Sequence, residues 1–153
     1  MFRLKKKPTQ QPQPPANLRG VFAGCGTLLN RSDMAPHVLR LALKGKADDN
    51  PSSVTLVYLG TPSYDLPAKR EAQTSWYVKA GCTVLSLDVV SESPPTHRMA
   101  EMIDAADVIL VSGGNTHFAM RRWKHLGLDA MIREACLGPR RVVMAGGSAG
   151  AIW

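Results

Sequence analysis

Short runs of apolar residues alternate with stretches of helical periodicity from Leu18 onward. Five apolar runs predict β-strands, because each is short and is interrupted by glycine, proline or a polar loop. These runs are Leu18–Ala23, Val54–Leu59, Thr83–Val90, Val108–Val111 and the stretch from Arg141 to Ala145. The stretches between them predict helices at Ser32–Leu43, at Pro67 to Gly81, from Thr96, at Thr116–His125 and at Leu128–Leu137.

Alternating strands and helices predict an α/β fold with a parallel sheet and helices on both of its faces. Ligands bind such sheets at the carboxyl ends of the strands. Three glycine-rich loops, at Gly24, Gly113 and Gly146, follow predicted strands and therefore lie at that edge. No internal repeat and no further boundary is visible after Leu18, so we expect residues 18–153 to form one domain.

The positive charge of the chain is concentrated near its beginning. The 153 residues carry a net charge of +7. Met1 to Gly20 holds five of the 19 basic residues and no acidic one, which leaves 14 basic residues against 12 acidic ones afterwards. Residues 1–17 combine this charge with proline and glutamine, and we expect them to be a disordered tail. The remainder, near neutrality, gives no reason to expect nucleic-acid binding.

Other features of the composition narrow the class of protein further. No apolar segment follows the early lysines, and no run approaches the roughly 18 apolar residues of a membrane span. We therefore expect a cytoplasmic protein without membrane contact.

Cys25, Cys82 and Cys136 are widely spaced and odd in number, which predicts reduced cysteines rather than disulfides. No cluster has metal-ligand spacing, and we expect neither a metal nor a cofactor.

A nucleophile elbow is the first candidate for chemistry. An apolar run leads directly into Gly146-Gly147-Ser148-Ala149-Gly150. A serine at a sharp strand-to-helix turn needs small neighbours, because the backbone must come close to the substrate. The pattern predicts Ser148 as a nucleophile, with the backbone N–H of Ala149 aimed at a developing oxyanion. The simpler alternative is a tight turn without function.

The loop at Gly113-Gly114-Asn115 is the natural source of a second oxyanion donor. Glycine lets a backbone amide approach a ligand without a Cβ in the way. We therefore predict that this loop supplies the second donor, with Gly113 and Asn115 as substrate-binding residues. The alternative is a plain strand-to-helix turn in which Asn115 caps the following helix.

The pair of motifs carries a family resemblance. Val111-Ser112-Gly113-Gly114-Asn115-Thr116 and Gly147-Ser148-Ala149-Gly150-Ala151 resemble the peptidase family of dipeptidase E, the α-aspartyl dipeptidases, whose relatives include cyanophycinases. The resemblance implies a class I glutamine amidotransferase-like three-layer fold. It also implies a serine peptidase that cleaves small peptides, in particular dipeptides with an N-terminal aspartate, with Ser148 as nucleophile and the amides of Gly114 and Ala149 as oxyanion hole.

The family's histidine and its acidic partner follow the nucleophile, whereas this sequence ends at Trp153. The sequence is therefore expected to be a C-terminally incomplete domain. The alternative to an enzyme is an inactive α/β module that binds a small ligand or a partner. Association through an exposed sheet edge, including formation of a homo-oligomer, is also expected.

His117 and Cys25 are two further candidates for a chemical role. His117 could serve as a base, but a place in the first exposed turn of a helix explains it more simply. Gly24-Cys25-Gly26 does not fit a dinucleotide loop, since Leu29 occupies the third glycine position. Cys25 has no visible partner for a role as nucleophile.

Overall fold

The computed structural model describes residues 18–44, 46–140 and 142–152. The expected tail at 1–17 lies outside the described residues. The strands are β1 (Gly20–Ala23), β2 (Thr55–Leu59), β3 (Thr83–Ser86), β4 (Val108–Val111) and β5 (Val143–Gly147). The helices are α1 (Ala35–Leu43), α2 (Pro67–Lys79), α3 (Thr96–Ala105), α4 (Thr116–Leu126) and α5 (Leu128–Leu137). Short 3₁₀ turns are formed by Gly26–Asn30, Pro51–Ser53, Thr61–Ser63 and Ser148–Ala151.

The five strands form one parallel sheet in the order β1-β5-β4-β2-β3. The strand that leads to Ser148, β5, therefore lies between β1 and β4. Val111 at the end of β4 is in register with Gly146 of β5. This register brings the loops after β4 and β5 side by side at the carboxyl edge.

Helices cover both faces of the sheet, as the alternating pattern predicts. On one face, α3, α4 and α5 pack their buried side chains, among them Trp123 and Ile132, against Val57 and Ile109. On the other face, α1 and α2 pack against Leu56 and the remaining strand residues of that side. Strand side chains alternate between the two faces, so the almost continuous apolar runs of β2 and β4 supply both cores.

Helix α1 and strand β1 each begin two or three residues later than the sequence predicts. Helix α1 begins at Ala35, whereas Ser32 was expected to start it; residues 32–34 form a turn in which Asp33 accepts two hydrogen bonds from Arg31, at 2.8 and 3.0 Å. Strand β1 begins at Gly20, two residues after the predicted start, although the carbonyl of Arg19 still accepts the N–H of Met144.

Strand β3 ends at Ser86, and the prediction that it reaches Val90 was wrong. The backbone N–H of Val90 donates to the Asp65 carboxylate at 2.6 Å, and the carbonyl of Val89 accepts from Arg122 at 2.6 Å. The side chains of Asp65 and Arg122 therefore bond to backbone groups that would otherwise be free to pair with a neighbouring strand. Leu87 and Val89 are nevertheless fully buried, which explains the apolar pattern in the sequence.

Candidate active site

Ser148 stands at the tip of a sharp turn at the carboxyl edge of the sheet. It follows β5 directly and opens the 3₁₀ turn Ser148–Ala151. Its φ angle is +54°, in the left-handed region that residues with a Cβ rarely adopt, and the residue is exposed. Such strain persists only where the surrounding structure enforces it, and it is concentrated at functional sites. The turn presents the hydroxyl to solvent rather than to the core.

Three glycines make this turn possible. A Cβ at Gly146 would overlap the carbonyl oxygen of Gly150, and a Cβ at Gly150 would overlap the carbonyl oxygen of Val111. A Cβ at Gly147 would overlap the backbone N of Gly26. Glycine is therefore required at these positions around the serine, because backbone atoms of neighbouring segments lie against the turn on both sides.

The loop after β4 lies against the elbow. A Cβ built on Gly113 would be 3.4 Å from the Cβ of Ser148 and 4.0 Å from its Oγ. Gly114 has a φ of +135°, and a Cβ there would overlap the carbonyl oxygen of Pro62. The backbone N–H of Asn115 donates to that same oxygen at 2.7 Å. The loop is thus fixed between the turn that follows β2 and the elbow.

Asn115 has both parts of its side-chain amide bonded within the protein. Its Oδ1 accepts the backbone N–H of Phe118 at 3.0 Å and caps α4. Its Nδ2 donates to the hydroxyl of Tyr64 at 3.1 Å, and the Tyr64 ring lies 5.0 Å from that of Phe118. The capping alternative considered from the sequence is therefore present, and it coexists with a place beside the serine.

One cleft of about 450 Å³ contains the predicted site residues Gly113, Gly114, Asn115 and Ser148. Ala149, which directly follows the serine, is buried and is not among the described residues that line the cleft. Further lining residues come from the turn after β1, from the turn after β2 and from α2: Cys25, Gly26, Thr27, Pro62, Ser63, Tyr64, Leu66, Lys69, Ala72 and Gln73.

Sequence reasoning missed the side of the cleft that α2 provides. Lys69 and Gln73 lie four residues apart on one face of that helix, but nothing in their pattern shows that the helix begins beside the elbow. A weaker signal was available for Tyr64, because Gly60-Thr61-Pro62 ends β2 at the same edge of the sheet as the two glycine loops. Recognising it would have required the strand order.

The three cysteines differ in environment. Cys25 is exposed in the cleft, and a hydrogen bond between its Sγ and the Thr27 hydroxyl, 3.1 Å, lowers the pKa of its thiol. Lys69 contributes further to this lowering. Burial raises the pKa of Cys136 to about 12 and also raises that of Cys82. All three thiols are free.

The histidines of the described residues lie away from the cleft lining. His117 is exposed in the first turn of α4 and His125 in its last turn, while His37 and His97 are exposed on α1 and α3. Within the described ranges, no group of three or more histidine, cysteine or acidic residues could hold a metal ion. No helix in the described part of the chain is long and apolar enough to cross a bilayer.

The parallel sheet, the strained serine and the adjoining glycine loop define an α/β protein with an exposed serine on a sharp turn at the carboxyl edge of its sheet. Comparison with protein families gives a match between residues 37–153 and the family model of peptidase family S51. The chain belongs to peptidase family S51, which confirms the relationship expected from the two motifs.

The chain is also similar to individual proteins, one by sequence and two by fold. The chain is 46% identical over 59 residues to the uncharacterized peptidase YgaJ of Bacillus subtilis (strain 168), a match that covers 39% of this chain and 25% of that protein. The fold of this chain is similar to that of a candidate peptidase E protein from Listeria monocytogenes EGD-e, with a TM-score of 0.63 and 22% identity. It is also similar to a peptidase from an acI-B1 Actinobacterium, with a TM-score of 0.66 and 16% identity.

The two structural matches cover 88% of this chain, but 61% of the Listeria protein and 56% of the actinobacterial one. The chain thus spans between half and two thirds of the length of these structures, and a quarter of YgaJ. At these identities the structural likeness establishes the α/β three-layer fold.

Proposed function

We propose that this chain carries the nucleophile of a serine peptidase that hydrolyses small peptides, in particular dipeptides with an N-terminal aspartate. The observation that carries the proposal is the exposed Ser148 at a φ of +54°, with Gly113 packed against it in an open cleft. Membership of peptidase family S51 supports the same reaction class.

In the proposed reaction the Oγ of Ser148 attacks the peptide carbonyl and forms a tetrahedral intermediate. The backbone N–H groups of Gly114 and Ala149 stabilise its oxyanion. Ala149 is the second residue of the 3₁₀ turn, where backbone N–H groups have no partner within the turn. Each donor of this kind contributes roughly 10²–10³ in rate.

The size of the cleft supports a small substrate. Its volume of about 450 Å³ falls within the range of roughly 300–1,000 Å³ of ordinary small-molecule pockets. Tyr64 and Leu66, both about half exposed, offer apolar surface to a side chain of the peptide.

A proton acceptor is required before serine becomes an effective nucleophile. Among the described residues that line the cleft there is no histidine and no carboxylate. We therefore assign the base to a residue outside this set.

A fluorophosphonate probe tests the nucleophile directly. We expect one adduct per chain, located at Ser148 by peptide mass spectrometry, and no adduct in Ser148→Ala. Gly24→Ala serves as a matched control, because a Cβ at that position meets nothing within 4 Å. A folded protein that takes up no probe, or takes it up elsewhere, would contradict the proposal.

A second candidate function is binding of a small peptide without turnover. The absence of a histidine or carboxylate from the described cleft lining favours it. Cleavage of Asp-Ala by this chain, abolished in Ser148→Ala, would exclude it. Binding of Asp-Ala without product formation and without probe labelling would favour it over the peptidase.

A further inference from the structure

Helix α2 brings one positive charge into the cleft. Of the described residues that line it, Lys69 is the only one among the lysine, arginine, histidine, aspartate and glutamate types. Lys69 is exposed, and within the described ranges its ammonium belongs to none of the five ion pairs of the structure. Its charge acts on the thiol of Cys25, which lines the same cleft. A ligand in this cleft therefore experiences a positive field with no acidic group among the described lining residues to offset it.

Gln73, one helical turn further along the same face, provides a second polar group. Its side chain is 4% exposed, and its Oε1 has no hydrogen-bond partner among the described residues. This oxygen lies 2.9 Å from the position that a Cβ on Gly26 would take, so the amide fits closely against a cleft-lining glycine. An acceptor buried without a donor is costly, and native structures keep few of them.

We infer that Lys69 and Gln73 form the recognition subsite of the cleft, in which the ammonium of Lys69 binds a carboxylate of the peptide and the Gln73 carbonyl accepts an N–H of the same ligand. The inference rests on the proposed function to the extent that the ligand is a peptide. The terminal torsion of glutamine is broad, so the amide can turn about it when a ligand binds.

A dipeptide such as Asp-Ala offers two carboxylates to Lys69, that of the aspartate side chain and that of the C-terminus. Both interact with an ammonium through the same charge-assisted hydrogen bond. Asn-Ala lacks the first carboxylate, and Asp-Ala amide lacks the second. If replacing Lys69 no longer weakens the binding of Asn-Ala, Lys69 binds the aspartate carboxylate. If it no longer weakens the binding of Asp-Ala amide, Lys69 binds the C-terminal carboxylate.

Equilibrium binding of Asp-Ala to the full chain carrying Ser148→Ala tests the subsite without catalysis. Lys69→Met keeps the length of the side chain and removes its charge; we expect the Kd measured by calorimetry to rise about tenfold or more. Lys69→Arg should keep most of the affinity. Lys79→Met, in the last turn of the same helix and outside the cleft, is the matched control and should bind as the parent does.

Gln73→Met tests the second group. It removes the unpaired acceptor at similar volume, so we expect weaker peptide binding together with an unchanged or higher resistance to urea. A residue with a purely structural role would change the urea midpoint and leave the Kd unaltered. Peptide affinity that survives both Lys69→Met and Gln73→Met, or no binding of Asp-Ala at millimolar concentration, overturns the inference.

Failure of the subsite and failure of the proposed function give different results. If the fluorophosphonate labels Ser148 while Lys69→Met leaves the Kd unchanged, the nucleophile stands and the subsite is wrong. If no serine is labelled while binding still depends on Lys69, the subsite stands as the recognition site of a binding protein.

Discussion

At the scale of single residues, the protein holds Ser148 in a backbone conformation that lowers the stability of the folded state. A left-handed φ costs a residue with a Cβ about 1–2 kcal/mol, and glycine avoids that cost. Within the described ranges, the exposed serine makes no side-chain hydrogen bond that would require its presence for folding, and the turn around it is built from backbone contacts of three glycines. Strain of this kind, retained at one exposed position, agrees with a role in chemistry rather than in folding.

This strain predicts different stabilities for two variants at one position. Ser148→Gly should have a free energy of unfolding about 1 kcal/mol higher than Ser148→Ala, because only glycine relieves the left-handed backbone. Urea titration followed by circular dichroism measures the difference. Equal stabilities for the two variants would show that the turn is not strained at this residue.

The buried carboxyl of Asp65 gives the protein a pH dependence of known sign. Burial raises the pKa of Asp65, although its Oδ2 accepts the N–H groups of Val90 and Ser91. The folded state therefore holds this proton to a higher pH than the unfolded state, whose carboxyl titrates near about 3.9. The contribution of Asp65 to stability falls as the pH rises through the interval between these two pKa values.

Asp65→Asn removes this dependence. We expect the free energy of unfolding of the variant, relative to the parent, to increase between pH 4 and pH 7, as measured by urea titration at several pH values. Asparagine also tolerates the φ of +55° at this position. Asp33→Asn provides a control of opposite sign, since the hydrogen bond from Arg31 lowers the pKa of Asp33. The argument fails if the free energy of unfolding of both variants, relative to the parent, changes with pH in the same direction and by the same amount.

At the scale of elements, the elbow depends on backbone atoms that leave no room for a side chain. Gly150 lies against the carbonyl oxygens of Val111 and Ser112, which belong to β4 and its loop. A methyl group there would push β4 and the turn Ser148–Ala151 apart. Because Gly113 is carried by the loop after β4, such a displacement would also move that loop relative to Ser148.

Two alanine substitutions separate this effect from a general intolerance of side chains. Gly150→Ala should lower the free energy of unfolding by about 1–3 kcal/mol, the usual cost of overpacking, and should reduce fluorophosphonate labelling of Ser148. Gly24→Ala, in open space after β1, should leave both unchanged. Parallel urea titrations and labelling time courses measure this, and equal behaviour of the two variants would contradict the packing argument.

The apolar pattern predicted the elements well where packing within the element decides the structure. Helix α5 occupies Leu128–Leu137 as predicted, because glycines stand at both of its ends. The apolar pattern predicted β3 poorly. Val89 and Val90 bond to Arg122 and Asp65, and both partners are distant from them in sequence. The serine and its glycine loops were visible as local motifs, whereas Lys69, Gln73 and Tyr64 join the site only through the way α2 and the turn after β2 pack.

At the scale of the whole molecule, β1 and β3 are the outer strands of the sheet within the described residues. Strand β1 pairs with β5 alone within the described residues, and its Phe22 is 46% exposed. Leu18, just before this strand, is 45% exposed, so apolar side chains accompany an unpaired row of backbone groups. An unprotected edge next to exposed apolar surface is a site for association with another chain.

We therefore expect self-association through β1 that increases with protein concentration, measured by sedimentation equilibrium. Phe22→Asp should shift the protein toward the monomer, because a charge on the outer strand opposes pairing and removes apolar surface. Val78→Asp is the matched control: Val78 is 57% exposed on helix α2 rather than on β1, and its replacement should leave the association unchanged. Equal effects of the two substitutions would indicate nonspecific hydrophobic aggregation. A protein that stays monomeric at every concentration would show that the β1 edge is not a contact surface.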